Sequence, residues 1–411
     1  MTYALLKGMR VVEGAAFIAG PSCGLYLAQM GAEVIRFDNI GGGPDFRRWP
    51  LARNGASLYW EGLNKGKKSV AIDMSSPQGR ELAVALAAAP GEDGGLFVTN
   101  FPVDGFLSYA ALSARRADLI CLRVMGWADG TTAVDYTVNA AIGLPQMTGP
   151  TDDPRPVNHV LPAWDLLTGA YAAFALMAAD RARRINGAGQ EIRLPLSDVA
   201  ATTLSHLGQV AEVLESGADR PRMGNDLFGA FGRDFATLDG RIIVVAITPR
   251  QWRDLVSLLG LDDPIKAIEM ELGVSFAADE GLRFNHRARL FPLFEAAFAQ
   301  LDTTSLKGQF DARGVCWSPY RSLSDAVADS PGQFRGNPVF EELRQPSGLT
   351  YPAAGPAATL AGLPRDHLEP APRLGEHTDE VLHALLGLGD GEIARLHDQG
   401  VIAGPHSGGE E

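Results

Sequence analysis

Cysteine is scarce in this sequence, with three among 411 residues. Cys23, Cys121 and Cys316 are an odd number at scattered positions, which excludes a disulfide framework and any regular metal-ligand spacing. They read as small apolar residues of the interior. Histidine is scarce too: the eight present include no HxH or HxxxH pair, so no metal is expected. No run reaches the roughly 18 apolar residues that a membrane span requires, and the N-terminus lacks the layout of a secretory signal. A soluble, cytoplasmic chain with no membrane attachment is expected. Positive charge is in deficit, 36 Lys and Arg against 49 Asp and Glu, for a formal net charge of −13. That balance argues against a nucleic-acid partner. Phosphate-cradling glycine patterns are also missing. Neither GxGxxG nor GxxxxGK[ST] occurs, which disfavours nicotinamide and P-loop chemistry.

What is present is a strong alternation of short apolar runs. "MRVVEGAAF", "EVIRFD", "KKSVAIDM", "GGLFVTNF" and "ADLICLRVMGW" read as strands. "GPSCGLYLAQMGA" and "SPQGRELAVALAAA" read as helices between them. This pattern predicts an α/β fold, with a Rossmann-like large domain around a parallel sheet. "QEIRLPLSDVA" is a further strand leading into one long helix, "ATTLSHLGQVAEVLESG". "DRPRMGNDLFGAFGRD" lacks periodicity and reads as a linker. "FATLDGRIIVVAIT" reads as a hairpin about Asp239 and Gly240, and helical segments follow it. We therefore expect residues 1–224 to begin the large domain and 225–322 to form a smaller α+β domain. Residues 323–411 would be a linker and a return to the large domain. Within them, 331–372 is rich in Pro and Gly and reads as an extended surface connection.

Candidate chemistry centres on "NHVLPAWDLLTGAYAAFALMAADRARR", residues 158–184. Asp165 stands where an N-cap would accept the first free amides of a helix. Leu167, Ala170, Phe174 and Met177 then form an apolar stripe at helical spacing. The same position suits a nucleophile. The helix dipole favours an ionised carboxylate, and the amides could meet an oxyanion formed by its attack. Both readings stay open here. His159 could carry a proton or be an ordinary loop histidine. Lys65, Lys67 and Lys68 in "NKGKKS", with Arg36, Arg47 and Arg48, could gather phosphates or form a solvated surface. "GEHTDE" reads as a helix start capped by Thr378.

An ordered set of stretches runs nearly end to end: "LKGMRVVE…AGP", "LAQMGAEVIRFD", "LNKGKKSVAIDM", "FVTNF", "D…TG" from Asp165, "GAGQEIRLPLSDVA" and "PRLGEHTDEVL". Together they resemble the class III CoA-transferase family, which includes formyl-CoA transferase and α-methylacyl-CoA racemase. The resemblance implies a large and a small domain in an interlocked homodimer. It implies an acyl-CoA substrate that brings its own CoA, hence no separate cofactor. It makes Asp165 the catalytic nucleophile. It places CoA contacts at Phe17, Ile18 and Ala19, at Arg36 and Lys68, at Ile72, and at Asn100 and Phe101. Gly229 and Gly232 could stand for the family's glycine-rich covering loop. "GLNKGK", "VDYTVN", "LPQMTGP", "VNHVLPAWD", "DRPRMGN" and "GAFGRDFATLDG" narrow the resemblance. They are similar to the branch that moves CoA between two carboxyl groups of one methyl-branched unsaturated dicarboxylate, through an aspartyl anhydride and an aspartyl-CoA thioester. Such a substrate needs a cation for its free end, and Arg47, His159 and Arg222 are the candidates. Transfer to a second carboxylic acid, or CoA binding without turnover, remain alternatives. Two positions depart from relatives. Ser108 replaces a nucleotide-contacting arginine. Val134 replaces the racemase's histidine and cannot carry a proton.

Overall fold

A computed structural model of the chain describes residues 2–405. Its strands are β1 (Arg10–Gly14), β2 (Glu33–Asp38), β3 (Lys68–Ile72), β4 (Leu96–Thr99), β5 (Ile120–Met125), β6 (Gln190–Pro195), β7 (Phe231–Ala236), β8 (Arg241–Ala246), β9 (Cys316–Pro319), β10 (Phe340–Arg344), β11 (Thr350–Ala354) and β12 (Ile402–Ala403). A seven-stranded sheet has the order β12-β3-β2-β1-β4-β5-β6. All its pairings are parallel except β12 against β3. This is the expected α/β architecture with a Rossmann-like strand order. Val11, Val12, Val34, Ile35, Val70 and Ile72 are all buried. Strands covered on both faces read as continuous apolar runs for that reason.

On one face, helices Pro77–Ala87, Tyr109–Arg115, Thr378–Leu386 and Asp390–Asp398 share a core with the sheet, through Leu82, Leu86, Leu112, Val381, Leu382 and Ile393. Helices Ala19–Gln29 and Ala163–Asn186 pack against each other and against the sheet elsewhere. The long helix does not bury the stripe expected from its sequence. Leu167 is 40% and Phe174 66% exposed. It buries Trp164, Thr168, Gly169, Ala172, Leu176 and Ala179 instead. Small residues let two helix backbones approach, and that geometry outweighs bulk. At the other end of the chain, Thr378 is no cap. Its hydroxyl accepts the amide of Ala71 and reaches the carbonyls of Gly375 and Ala403, tying the C-terminal helices to the sheet.

The chain divides into two compact units. The first comprises 2–142, 159–211 and 329–405; the second comprises 143–158 and 212–328. These limits differ from the expected 1–224, 225–322 and 323–411. The second unit takes in 143–158 because Arg222 donates to the carbonyls of Gln146, Asp153, Pro154 and Arg155. It holds the antiparallel sheet β7-β8-β9 over an aromatic core that includes Phe231, Phe235, Trp252, Phe294 and Phe298. The hairpin about Asp239 and Gly240 is present, but β7 begins inside the stretch expected to be a linker. The helix expected after β6 breaks at Gly208, whose φ is 76°, into Leu196–His206 and Gln209–Ser216. The 331–372 segment contains the β10–β11 hairpin. Buried Glu61 anchors it by accepting from Ser347 and Tyr351. No helix among the described residues is long and apolar enough to cross a membrane.

Candidate active site

Strands β1 and β4 are neighbours in the sheet, yet the helices that follow them cover opposite faces. A crevice opens at the carboxyl ends of strands where connections diverge in this way. Here it is a cleft of about 590 Å³, lined by the loop after β1, residues 100–103, the end of β5 and the start of the long helix. Glycine makes the first turn possible. A Cβ on Gly14 would lie 2.5 Å from the Phe37 ring, and one on Gly20 2.4 Å from Ala15. Asn100 fixes the loop by accepting from the amide of Ala16 at 3.2 Å and donating to its carbonyl at 3.1 Å. Phe17 is held at φ 69°, the one non-glycine residue with positive φ among those described. Such strain persists where surrounding structure enforces it. The helix behind the loop starts without a side-chain cap. Ala19 and Gly20, in its first turn, line the cleft, where free helix-start amides suit an anion.

Asp165 lines the same cleft, but not as a cap. The long helix starts at Ala163, which places Asp165 within its first turn. The capping carboxylate belongs to Asp135, 2% exposed, from helix Asp135–Ala141. Its Oδ2 accepts the amides of Trp164 at 2.7 Å and Asp165 at 3.1 Å. Those two amides are therefore not free to meet an oxyanion. His159 Nε2 donates to Asp135 Oδ1 at 2.6 Å, a carboxylate being able only to accept. Among the described residues, none donates a hydrogen bond to the Asp165 carboxylate. Burial pushes this group up to about 7; the Asp135 charge adds to the rise and Arg48 opposes it.

Other predicted residues divide into those on the cleft and those elsewhere. Phe17, Ile18, Ala19, Asn100 and Phe101 line it. Arg36 does not. Its guanidinium, 1% exposed, pairs with Asp38 and Asp45 and bonds Asn64. Lys68 pairs with Glu33 and Glu380, Lys67 is buried against Glu13, and Lys65 is buried against the carbonyl of Gly62. Ile72 has no exposed surface. A separate cavity of about 710 Å³ has walls that include Ile40, Met74, Arg80 and Phe106. Ser108 caps helix Tyr109–Arg115, a role an arginine could not fill. Arg222, Gly229 and Gly232 belong to the second unit. Arg222's donors go to backbone carbonyls, and a Cβ on Gly232 would meet Leu227 at 2.9 Å. Arg47 is exposed and off the cleft, whereas Arg48 lines it, over the rings of Phe17 and Tyr59 at 5.5 Å each. The Tyr59 hydroxyl is buried with no hydrogen-bond partner among the described residues. Asp135 is the cleft residue least visible in the sequence; its only local signal is an acid opening the helical run "DYTVNAA".

Residues 6–378 match the family described as CoA-transferase family III. The chain belongs to that family. It is an enzyme of the CoA-transferring type. Over 403 residues it is 49% identical to 2-methylfumaryl-CoA isomerase of Chloroflexus aurantiacus, with 98% of each chain covered. It is 29% identical to succinyl-CoA:glutarate CoA-transferase of Mus musculus, over 97% of this chain and 90% of that one. Among solved structures, a CAIB/BAIF family protein from Brucella suis is similar at a TM-score of 0.74 and 26% identity, covering 94% of this chain and all of that one. The described residues contain no group of three side chains that could hold a metal.

Proposed function

We propose that this enzyme moves CoA between the two carboxyl groups of mesaconate, converting 2-methylfumaryl-CoA into 3-methylfumaryl-CoA. The observation that carries the proposal is Asp165, a desolvated carboxylate without a hydrogen-bond donor, lining the cleft of a chain 49% identical throughout to an enzyme of that name. An Asp165 oxygen attacks the thioester carbon. A C–O bond forms, the C–S bond breaks, and CoA leaves as thiolate. The thiolate attacks Asp165 Cγ, displacing mesaconate and leaving an aspartyl-CoA thioester. Mesaconate attacks that carbon with its other carboxylate and expels the thiolate again. Thiolate attack on the acyl carbon of this second anhydride frees the Asp165 carboxylate. No proton is gained or lost. Covalent catalysis divides one exchange into easier steps, and retaining both fragments preserves their proximity. Arg48 and Arg123 both line the cleft; Arg123 is taken up by Glu191 and the carbonyls of Phe101, Pro102 and Leu107, which leaves Arg48 as the cation for the free carboxylate. The amides of Ala19 and Gly20 and the Tyr59 hydroxyl are donors for the oxyanions. The cavity beside Arg80 and Phe106 takes the nucleotide end of CoA. The exposed stripe on the long helix suits the partner face of an interlocked homodimer.

The purified enzyme is incubated with 2-methylfumaryl-CoA and isotopically labelled free mesaconate. Conversion to the 3-isomer with no label in the product is the expected result. Extensive labelling would instead establish transfer to a second acid, the activity named for relatives such as the glutarate transferase. Binding without product would overturn the assignment of this substrate.

A further inference from the structure

We propose that Asp135 is a positioning residue for the nucleophile: it holds the first turn of the long helix through two backbone amides and, as a second buried anion, favours the uncharged, acylated state of Asp165. This rests on the reading of Asp165 as nucleophile. The geometry is that of a built support. Asp135 is 2% exposed and accepts three donors, two on Oδ2 and one from His159 on Oδ1. Asn139, one turn further along the same helix, accepts the Trp164 indole N–H at 3.1 Å. Two side chains of one helix thus grip the backbone and side chain immediately before the nucleophile. The Tyr136 ring meets His159 edge-on at 5.6 Å and fixes the imidazole plane.

A cap alone does not require a charge, since a neutral amide oxygen can accept the same two N–H groups. The charge has its effect on Asp165. Two carboxylates in a desolvated cleft repel, and the repulsion ends when one becomes an ester-like acyl group. Attack on the thioester does this: the Asp165–acyl C–O bond forms, the C–S bond breaks, and the negative charge leaves with the CoA sulfur. A ground state raised in this way lowers the barrier to acylation. The charged and titratable groups influencing Asp165 are Asp135, which raises its proton affinity, Arg48 from the loop after β2, which lowers it, and Tyr59. His159 acts at one remove, through Asp135.

The test is Asp135→Asn in the full-length enzyme. Its side-chain oxygen can keep both amide bonds, and its NH2 can face the other tautomer of His159. We expect KM for 2-methylfumaryl-CoA to stay within about twofold and kcat to fall about tenfold. The acid limb of the pH–rate profile should move down by on the order of one pH unit. An unmoved acid limb overturns the proposal, whatever the rate, because a purely structural cap would leave it in place. A second pair of variants covers misfolding of the first. His159→Ala should lower kcat with KM kept, and His159→Gln, which can still donate to Asp135, should restore part of it. Full activity in His159→Ala also overturns the proposal. Asp165→Asn separates the two readings. If it stays active, the nucleophile assignment has failed; if it is inactive while Asp135→Asn keeps its acid limb, only the role of Asp135 has failed.

Discussion

Asp165 carries a cost that the proposed chemistry explains. Folding removes it from water beside Asp135, so its proton affinity rises from the ordinary carboxylate range to about 7. A carboxyl whose folded value exceeds its unfolded value destabilises the fold wherever the unfolded group is ionised. The penalty is absent at about pH 3, grows as pH rises through the window between the ordinary value and 7, and is complete above it. Asp165→Asn should therefore raise unfolding stability by on the order of 2 kcal/mol at about pH 8 and add nothing at about pH 3. Urea titrations at the two pH values measure this, and an equal gain at both would contradict it. Local rules identified Asp165 as a special acid but gave it the wrong structural task. The cap comes from a residue 30 positions earlier, and no spacing rule reaches that far. Arg36 shows the same limit. A basic residue near a strand end looks available for phosphate until the fold brings Asp38, Asp45 and Asn64 around it.

At the level of elements, the site depends on how closely helices Ala19–Gln29 and Ala163–Asn186 cross. A Cβ on Gly169 would lie 2.0 Å from the Ser22 hydroxyl and 2.8 Å from the carbonyl of Ala19. Neither helix can accept it without moving the loop that lines the cleft. Gly169→Ala should destabilise the protein by about 1–3 kcal/mol, measured as a lowered urea midpoint; a wild-type midpoint would mean the helices can separate freely. The strands of the large sheet were legible because burial on both faces selects continuous β-branched runs. The long helix was legible as a helix but not in its facing. Bulk suggested Leu167 and Phe174 as the buried side, whereas contact is made by Gly169, Ala172 and Leu176. The start of β7 was hidden because "FGRD" mixes charge and glycine, and Arg233 and Asp234 are satisfied by ion pairs with Asp226 and Arg241.

At the level of the whole molecule, class and architecture were legible and the division of the chain was not. Alternation of strand and helix is a local signal, repeated often enough to imply the parallel sheet. The second unit begins at 212 and recruits 143–158 through side chain to backbone bonds from Arg222, which have no sequence signature. The cleft was half legible: residues next to strand ends could be placed on it, but Arg48, Tyr59 and Asp135 arrive from separate segments. Net charge was a poor guide to the site, since a chain of formal charge −13 still sets Arg48 on the cleft. The central claim is that CoA passes through a covalent state of Asp165. The most direct measurement is to quench turnover of 2-methylfumaryl-CoA with hydroxylamine and locate the resulting hydroxamate by peptide mass spectrometry. The account predicts substrate-dependent modification at Asp165 and at no other acid. No modification at Asp165 under conditions of full turnover, or modification at Asp135 instead, would contradict it.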